Sequence, residues 1–232
     1  MQKRINKRDS SIPELKRLFF ILIVLICLFF KPHNVIGQRS WTFNFSLGDA
    51  YCFKMPLVIS QQGYEKIKLT AHYRTESFQL PFYYSRKIGT AKDLKGWELE
   101  LTHLKLYLVN NPPEVQYFSI SHGYNYFTVN RIWDLDLMIL RLGTGVIISH
   151  PESTVRNLNY DTHQGLFNRG YHISGPGLQI TAEKRIVIVR GFFFSIEIKA
   201  TAAIAKAGIA EGNAIVPQAG LHGLFGIGYT FK

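Results

Sequence analysis

The chain has 232 residues, with 27 Lys and Arg against 16 Asp and Glu, a formal charge of +11. Hydrophobic residues make up 47% and charged residues 19%, which excludes intrinsic disorder as the main state. Two cysteines exclude a disulfide scaffold and a four-thiolate zinc site, while 17 Phe and 12 Tyr favour strands over helices.

The chain opens on an address. Lys3, Arg4, Lys7, Arg8, Lys16 and Arg17 precede LFFILIVLICLFF, an apolar run of 13 residues at 18–30. A helix needs about 20 residues to cross a bilayer, so this run is short for a span. With Val35-Ile36-Gly37 behind it, it reads as a cleaved signal peptide, residues 1–37. The alternative is an uncleaved anchor. Leu25-Ile26 before Cys27 is too bulky for a lipoprotein signal. Cleavage removes seven basic and two acidic residues, leaves a charge of +6, and leaves Cys52 alone. The remaining basic residues are scattered, so no nucleic-acid partner is expected.

From residue 41 the pattern has period two. Trp41, Phe43, Phe45 and Leu47 oppose Thr42, Asn44 and Ser46. Ile67, Leu69, Ala71 and Tyr73 oppose Lys66, Lys68, Thr70, His72 and Arg74. Phe78, Leu80, Phe82 and Tyr84 share one face, with Pro81 marking a bulge or an edge. Phe194, Ile196, Ile198 and Ala200 oppose Ser195, Glu197, Lys199 and Thr201. Side chains alternate across a strand, so each segment has one apolar and one polar face. A soluble sandwich gives the same alternation. Long strands with charged polar faces favour a membrane barrel with a hydrated interior.

The expected fold is therefore all-β: an antiparallel transmembrane β-barrel of eight strands, with ten as the alternative. Strands are expected at 64–74, 77–88, 97–108, 114–126, 134–149, 171–184, 191–203 and 219–231. Residues 38–63 form an N-terminal segment or an extra strand pair, and 64–232 form the barrel. Loops at 74–77, 110–113, 150–170 and 205–218 fall on the outer side, and short connections at 89–96, 131–136 and 185–190 on the periplasmic side. A barrel this small has its interior filled by side chains, which disfavours a wide pore.

At the C-terminus Phe225, Ile227, Tyr229 and Phe231 alternate with Gly226, Gly228 and Thr230. This resembles the terminal strand of bacterial outer-membrane β-barrel proteins, which end on the aromatic where this chain adds Lys232. The resemblance implies a Gram-negative outer membrane, delivery to the barrel assembly machinery, contact with outer-membrane lipids including lipopolysaccharide, and a monomer.

Chemistry centres on Ser119-Ile120-Ser121-His122 facing Glu100 and His103. A hairpin turning at 110–113 pairs residues whose numbers sum to about 222–224, setting Glu100 near His122 and His103 near Ser119 or Ser121. Serine, a histidine base and an orienting carboxylate are the parts for acyl transfer. A polar ladder of the barrel interior uses the same residues. The layout resembles the small lipid A deacylases, whose His-x-Ser element is here reversed to Ser-x-Ser-His. The segments His103-Leu-Lys-Leu-Tyr-Leu-Val-Asn-Asn-Pro-Pro-Glu-Val-Gln116 and Ser121-His-Gly-Tyr-Asn125 also resemble a family of small exported barrels, which implies no activity.

Two readings follow. A structural or ligand- and lipid-binding barrel presents its outer loops, including 160–170. A lipid A-modifying hydrolase uses Ser121 or Ser119 with His122, Glu100 and His103. A narrow pore for small solutes is third. No cofactor and no metal is expected, because the histidines lack the spacing of a metal motif. Gly143-Thr144-Gly145 and Gly175-Pro176-Gly177 read as strand bends or close approaches, not as phosphate loops.

Overall fold

The computed structural model describes residues 39–231 except 164 and 167; the expected signal peptide lies outside them. In chain order the strands are β1 (Ser40–Cys52), β2 (Met55–Gln61), β3 (Ile67–Ala71), β4 (Tyr73–Arg74), β5 (Tyr84–Lys92), β6 (Lys95–His103), β7 (Leu106–Leu108) and β8 (Val115–Ile120). Then come β9 (Tyr124–Asp134), β10 (Ile139–Ser149), β11 (Glu152–Val155), β12 (Leu158–Asn159), β13 (His172–Val189), β14 (Phe192–Ile209) and β15 (Gly212–Phe231).

Eight of them close a ring, in the order β1-β5-β6-β9-β10-β13-β14-β15. The β1–β15 ladder seals it, running antiparallel from Trp41↔Phe231 to Cys52↔Gly220. A second sheet, β12-β11-β8-β7-β4, lies beyond the ring, and β2 and β3 extend the far end of β15.

One end of the ring carries tight turns. Asp93 and Leu94 between β5 and β6 have φ of 51° and 66°, and Arg190 and Gly191 between β13 and β14 have 40° and 90°. Two successive positive φ values give the turn twist that matches antiparallel strands. Both chain ends of the barrel, at Trp41 and Phe231, lie at this turn end. The opposite, loop end carries the second sheet.

The count of eight holds, but by exchange. The segment 41–60, expected at most as an extra pair, supplies the ring strand β1. The segment 64–74 leaves the ring, as β3 on β2 and β4 on β7. The barrel thus starts at Ser40, not at residue 64. Other segments also differ, the connections expected at 131–136 and 185–190 being strand as far as Asp134 and Val189. The strand expected from 77 begins only at Tyr84, past Pro81. The loop expected at 205–218 is instead a ladder, running from Ala205↔Val216 to Ile209↔Gly212. Ala205, Ala207 and Ile209 are buried there against Ala214 and Val216, so the small residues close a packed hairpin.

Across the ring the two faces are inverted relative to a soluble protein. Phe43, Ile88, Leu99, Phe127, Val129, Leu142, Leu178, Ile198, Phe225 and Ile227 are exposed on the outside. Lys87, Glu98, Glu100, Asn130, Arg141, Gln179, Glu183, Glu197 and Lys199 are buried inside. The exterior is apolar because its solvent is hydrocarbon, which fits strands that satisfy every backbone group within a closed ladder. Gly143 is one consequence: the Asn130 side chain lies where a Cβ would stand, so the two strands meet closely.

The hydrophobic core sits almost wholly at the loop end, where Leu57, Ile59, Leu106, Phe118, Ile120, Tyr124 and Val155 pack between the ring extensions and the second sheet. Phe118→Ala is expected to cost that region about 3–5 kcal/mol. Protease should then cut the loop-end strands faster, while the ring keeps its compact, heat-sensitive gel migration.

Candidate functional site

The structure divides the five residues that the sequence grouped, leaving Ser121 and His122 in contact. Glu100 points into the barrel, where it accepts from Ser85 Oγ at 2.6 Å, Asn130 Nδ2 at 2.8 Å and Gln179 Nε2 at 2.5 Å, and pairs with Lys199. Its register partner on β9 is Thr128, not His122. The hairpin at 110–113 belongs to the second sheet, with Leu106↔Ile120 and Tyr107↔Ser119. The chain passes between sheets at 104–105 and at 121–123, so the ladder expected to align Glu100 with His122 is broken on both legs. Ser119 is fully buried and donates to Tyr117 Oη at 2.9 Å.

Ser121 and His122 do meet, and a different carboxylate joins them. Ser121 Oγ lies 3.3 Å from His122 Nδ1, and Glu152 Oε1 lies 2.7 Å from the same nitrogen. A Ser-His-acid relay needs the serine on one ring nitrogen and the acid on the other. Here both claim Nδ1, so the set does not form that relay.

His103 stands apart, on the outer face of β6 at the loop end. Its Nδ1 lies 2.8 Å from Asn125 Oδ1, an acceptor, so Nδ1 carries the proton. Nε2 then holds the lone pair, and it is buried without a hydrogen-bond partner among the described residues. The ring stacks on Tyr84 at 5.2 Å, and Arg86 lies 4.8 Å above that tyrosine.

His103 and Asn125 border an open groove of about 480 Å³ on the outer wall of the ring. Leu101 and Ile148 give it an apolar lining, and His122 and Tyr171 border it as well. Gly123, at φ 128°, makes the bend that places His122 there; a Cβ at this position would run into the Asn125 amide.

Next to the groove, His122, His150 and Glu152 converge, with one ligand atom from each lying within 4.8 Å of the others. The sequence reading assigned no metal and missed this group. His122 lies in the connection from β8 to β9, His150 in the one from β10 to β11, and Glu152 opens β11. The only local signal was His150-Pro151-Glu152, where an extended i, i+2 pair shares a face. Burial, followed by the neighbouring His122, pulls the His150 imidazole below its ordinary value and favours the neutral ring.

The barrel interior gives its own answer. Arg141 lies 2.8 Å from Glu98 and 3.9 Å from Glu197, and pairs with Glu183. Lys87 pairs with Glu197 and approaches Glu183 at 4.0 Å, and Lys199 lies 3.3 Å from Glu197. His222 is held between Tyr83 Oη and Thr201 Oγ1, each at 2.8 Å. At the turn end a vestibule of about 620 Å³ is lined by Glu98, Glu183 and Arg185, members of this charged network. A plug of paired charges weighs against the narrow-pore reading.

Closed ladder, apolar exterior and filled polar interior define a transmembrane β-barrel of eight strands. No protein-family model matches the chain, and no curated protein matches its sequence. Among solved structures it is similar to the outer-membrane protein AlkL, determined by solid-state NMR in DMPC bilayers, with 11% identity and a TM-score of 0.46 over 87% of this chain and 94% of that one. It is also similar to Ail, the attachment invasion locus protein of Yersinia pestis, with 10% identity and a TM-score of 0.38 over 85% of this chain and all of that one.

Proposed function

We propose that this chain is an integral outer-membrane barrel that holds an amphiphile in the groove beside His103, where the outer leaflet meets water. The groove itself carries the reading. Leu101 and Ile148 lie on the outer, hydrocarbon-facing side of their strands, and His103, Asn125 and Tyr171 bring polar groups to the same groove. An apolar slot with a few convergent polar groups suits a ligand with a tail and a head. Arg86, exposed and stacked on Tyr84, supplies a cation beside the slot for an anionic headgroup such as a lipid phosphate. The orientation follows from loop length: short turns face the periplasm and the elaborated end faces out.

The hydrolase reading lacks its nucleophile. The groove beside the His103 lone pair is lined by no serine, and Ser121 shares Nδ1 of His122 with Glu152.

Native mass spectrometry of the barrel extracted in mild detergent tests the proposal. Wild type should retain one outer-membrane lipid per chain, and Ile148→Trp, which fills the slot, should lose most of it. Equal retention by both proteins would overturn the groove assignment. Lipid A from expressing cells should keep all its acyl chains; loss of one with wild type but not with His103→Gln would replace binding by hydrolysis.

A further inference from the structure

We propose that His122, His150 and Glu152 form a binding site for a zinc-class divalent cation at the loop end of the barrel. Imidazole and carboxylate together select borderline cations such as Zn²⁺ over Ca²⁺ or Mg²⁺, which take oxygen ligands.

The geometry is close to what such an ion needs. Bonds of about 2.0–2.2 Å in a tetrahedron set neighbouring ligand atoms about 3.3 Å apart. Here Glu152 Oε1 lies 2.7 Å from His122 Nδ1 and 3.8 Å from His150 Nδ1, values on either side of that spacing. The two imidazole rings are 4.8 Å apart and tilted by 45°, so their nitrogens converge without the rings stacking flat. The three ligand atoms all lie within 4.8 Å of one another, so the side chains must draw together to hold one ion.

Two further observations separate this group from a chance cluster. His150 is 9% exposed and its Nδ1 is buried, yet that nitrogen has no hydrogen-bond partner among the described residues. Buried polar atoms are normally satisfied, and one facing a carboxylate and a second imidazole is explained by an ion. The backbone around the ligands is also fixed. The His150 amide donates to the Gly123 carbonyl at 3.1 Å, and Tyr171 Oη donates to the His122 carbonyl at 3.4 Å. Tyr171 also packs edge-on against the His150 ring at 4.9 Å, and Gly170, with φ 72°, leaves room for that ring. These contacts orient the ligands from behind, as outer-shell groups do in metal sites.

Three protein ligands leave a fourth position for water or for a ligand headgroup. Because His122 also lines the groove, the ion would sit at the rim of the slot. It would tie the bend before β9 to the start of β11 whether or not an amphiphile is bound.

Calorimetric titration of zinc into the detergent-solubilised, tag-free barrel, with cobalt(II) absorption as a second readout, tests the site. We expect one zinc per chain and a cobalt spectrum of the intensity that four-coordinate sites give. His122→Ala and Glu152→Gln should each weaken binding at least tenfold, and His163→Ala, an exposed histidine outside the cluster, should leave it unchanged. Gel migration before and after heating shows that each variant is folded. The exposed His122 and the near-isosteric Glu152→Gln change keep the test independent of the buried His150. Absence of zinc binding by the wild type overturns the site, as does binding that survives both ligand substitutions.

Discussion

Arg141→Met is expected to destabilise the folded barrel by about 3–5 kcal/mol, the cost of leaving buried charge uncompensated. Arg141 is 1% exposed and sits among Glu98, Glu183 and Glu197, themselves 2%, 0% and 1% exposed. The interior charges balance: Lys87, Arg141, Lys199 and Arg185 against Glu98, Glu100, Glu183 and Glu197. Methionine keeps much of the volume but leaves one negative charge in excess. The double substitution Arg141→Met with Glu98→Gln removes a cation and an anion together. Glu183 then still has Arg185, at 2.6 Å, and Glu197 still has the two lysines. The double variant should therefore recover part of the loss. Urea unfolding in lipid vesicles, followed by gel migration, measures both. If the single variant loses less than about 1 kcal/mol, water already solvates these carboxylates and the plug is not dry. The pore reading would then regain its footing.

Much of the fold was legible because alternation is a local property. Trp41-Thr-Phe-Asn-Phe-Ser-Leu states its two faces in seven residues, and the ladder confirms them, with Asn44 and Ser46 buried and Phe43 exposed. Alternation does not say which neighbour a strand takes. Ile67-Lys-Leu-Thr-Ala alternates as cleanly as any ring strand, but its apolar face packs on β2 inside the loop-end core instead of facing lipid. Period two looks the same whether the apolar side meets hydrocarbon or protein, so a ring strand and a strand outside the ring changed places while the total stayed at eight.

Legibility was poorer at the site, where it depended on register. The ring pairs Glu100 with Thr128, a sum of 228, and the outer sheet pairs Leu106 with Ile120, a sum of 226. Extending one hairpin at 222–224 across both sheets put Glu100 beside His122, although the two now serve different halves of the molecule. A slip of a few residues is enough to replace every predicted contact. Ser121 next to His122 survived because adjacency in sequence needs no register. The Glu152 that bonds His122 lies 30 positions away and is set by the Glu152↔Ser119 pair of β11 and β8, which no local pattern announces.

The second large effect separates a lipid-facing surface from a wet one. Ile198 and Ile173 are 65% and 66% exposed, so in a water-soluble protein arginine would be tolerated about equally at either position. They differ in height. Ile198 lies near the middle of the β14 ladder, paired with Ala182 and Gly223, whereas Ile173 lies one residue from the loop end of β13. Arginine facing hydrocarbon costs about 2–4 kcal/mol at the bilayer midplane and about 0–1 kcal/mol near the interface. Ile198→Arg should therefore lower the unfolding free energy in lipid vesicles by the larger amount, with Ile173→Arg close to wild type. Neither Ala182 nor Gly223 offers the guanidinium a partner, so it must reach for the headgroups along the barrel wall. Equal, small effects at both positions would mean that the apolar exterior is not seated in a bilayer. The ring of exposed Phe43, Leu99, Leu178 and Ile227 would then need a protein partner to cover it.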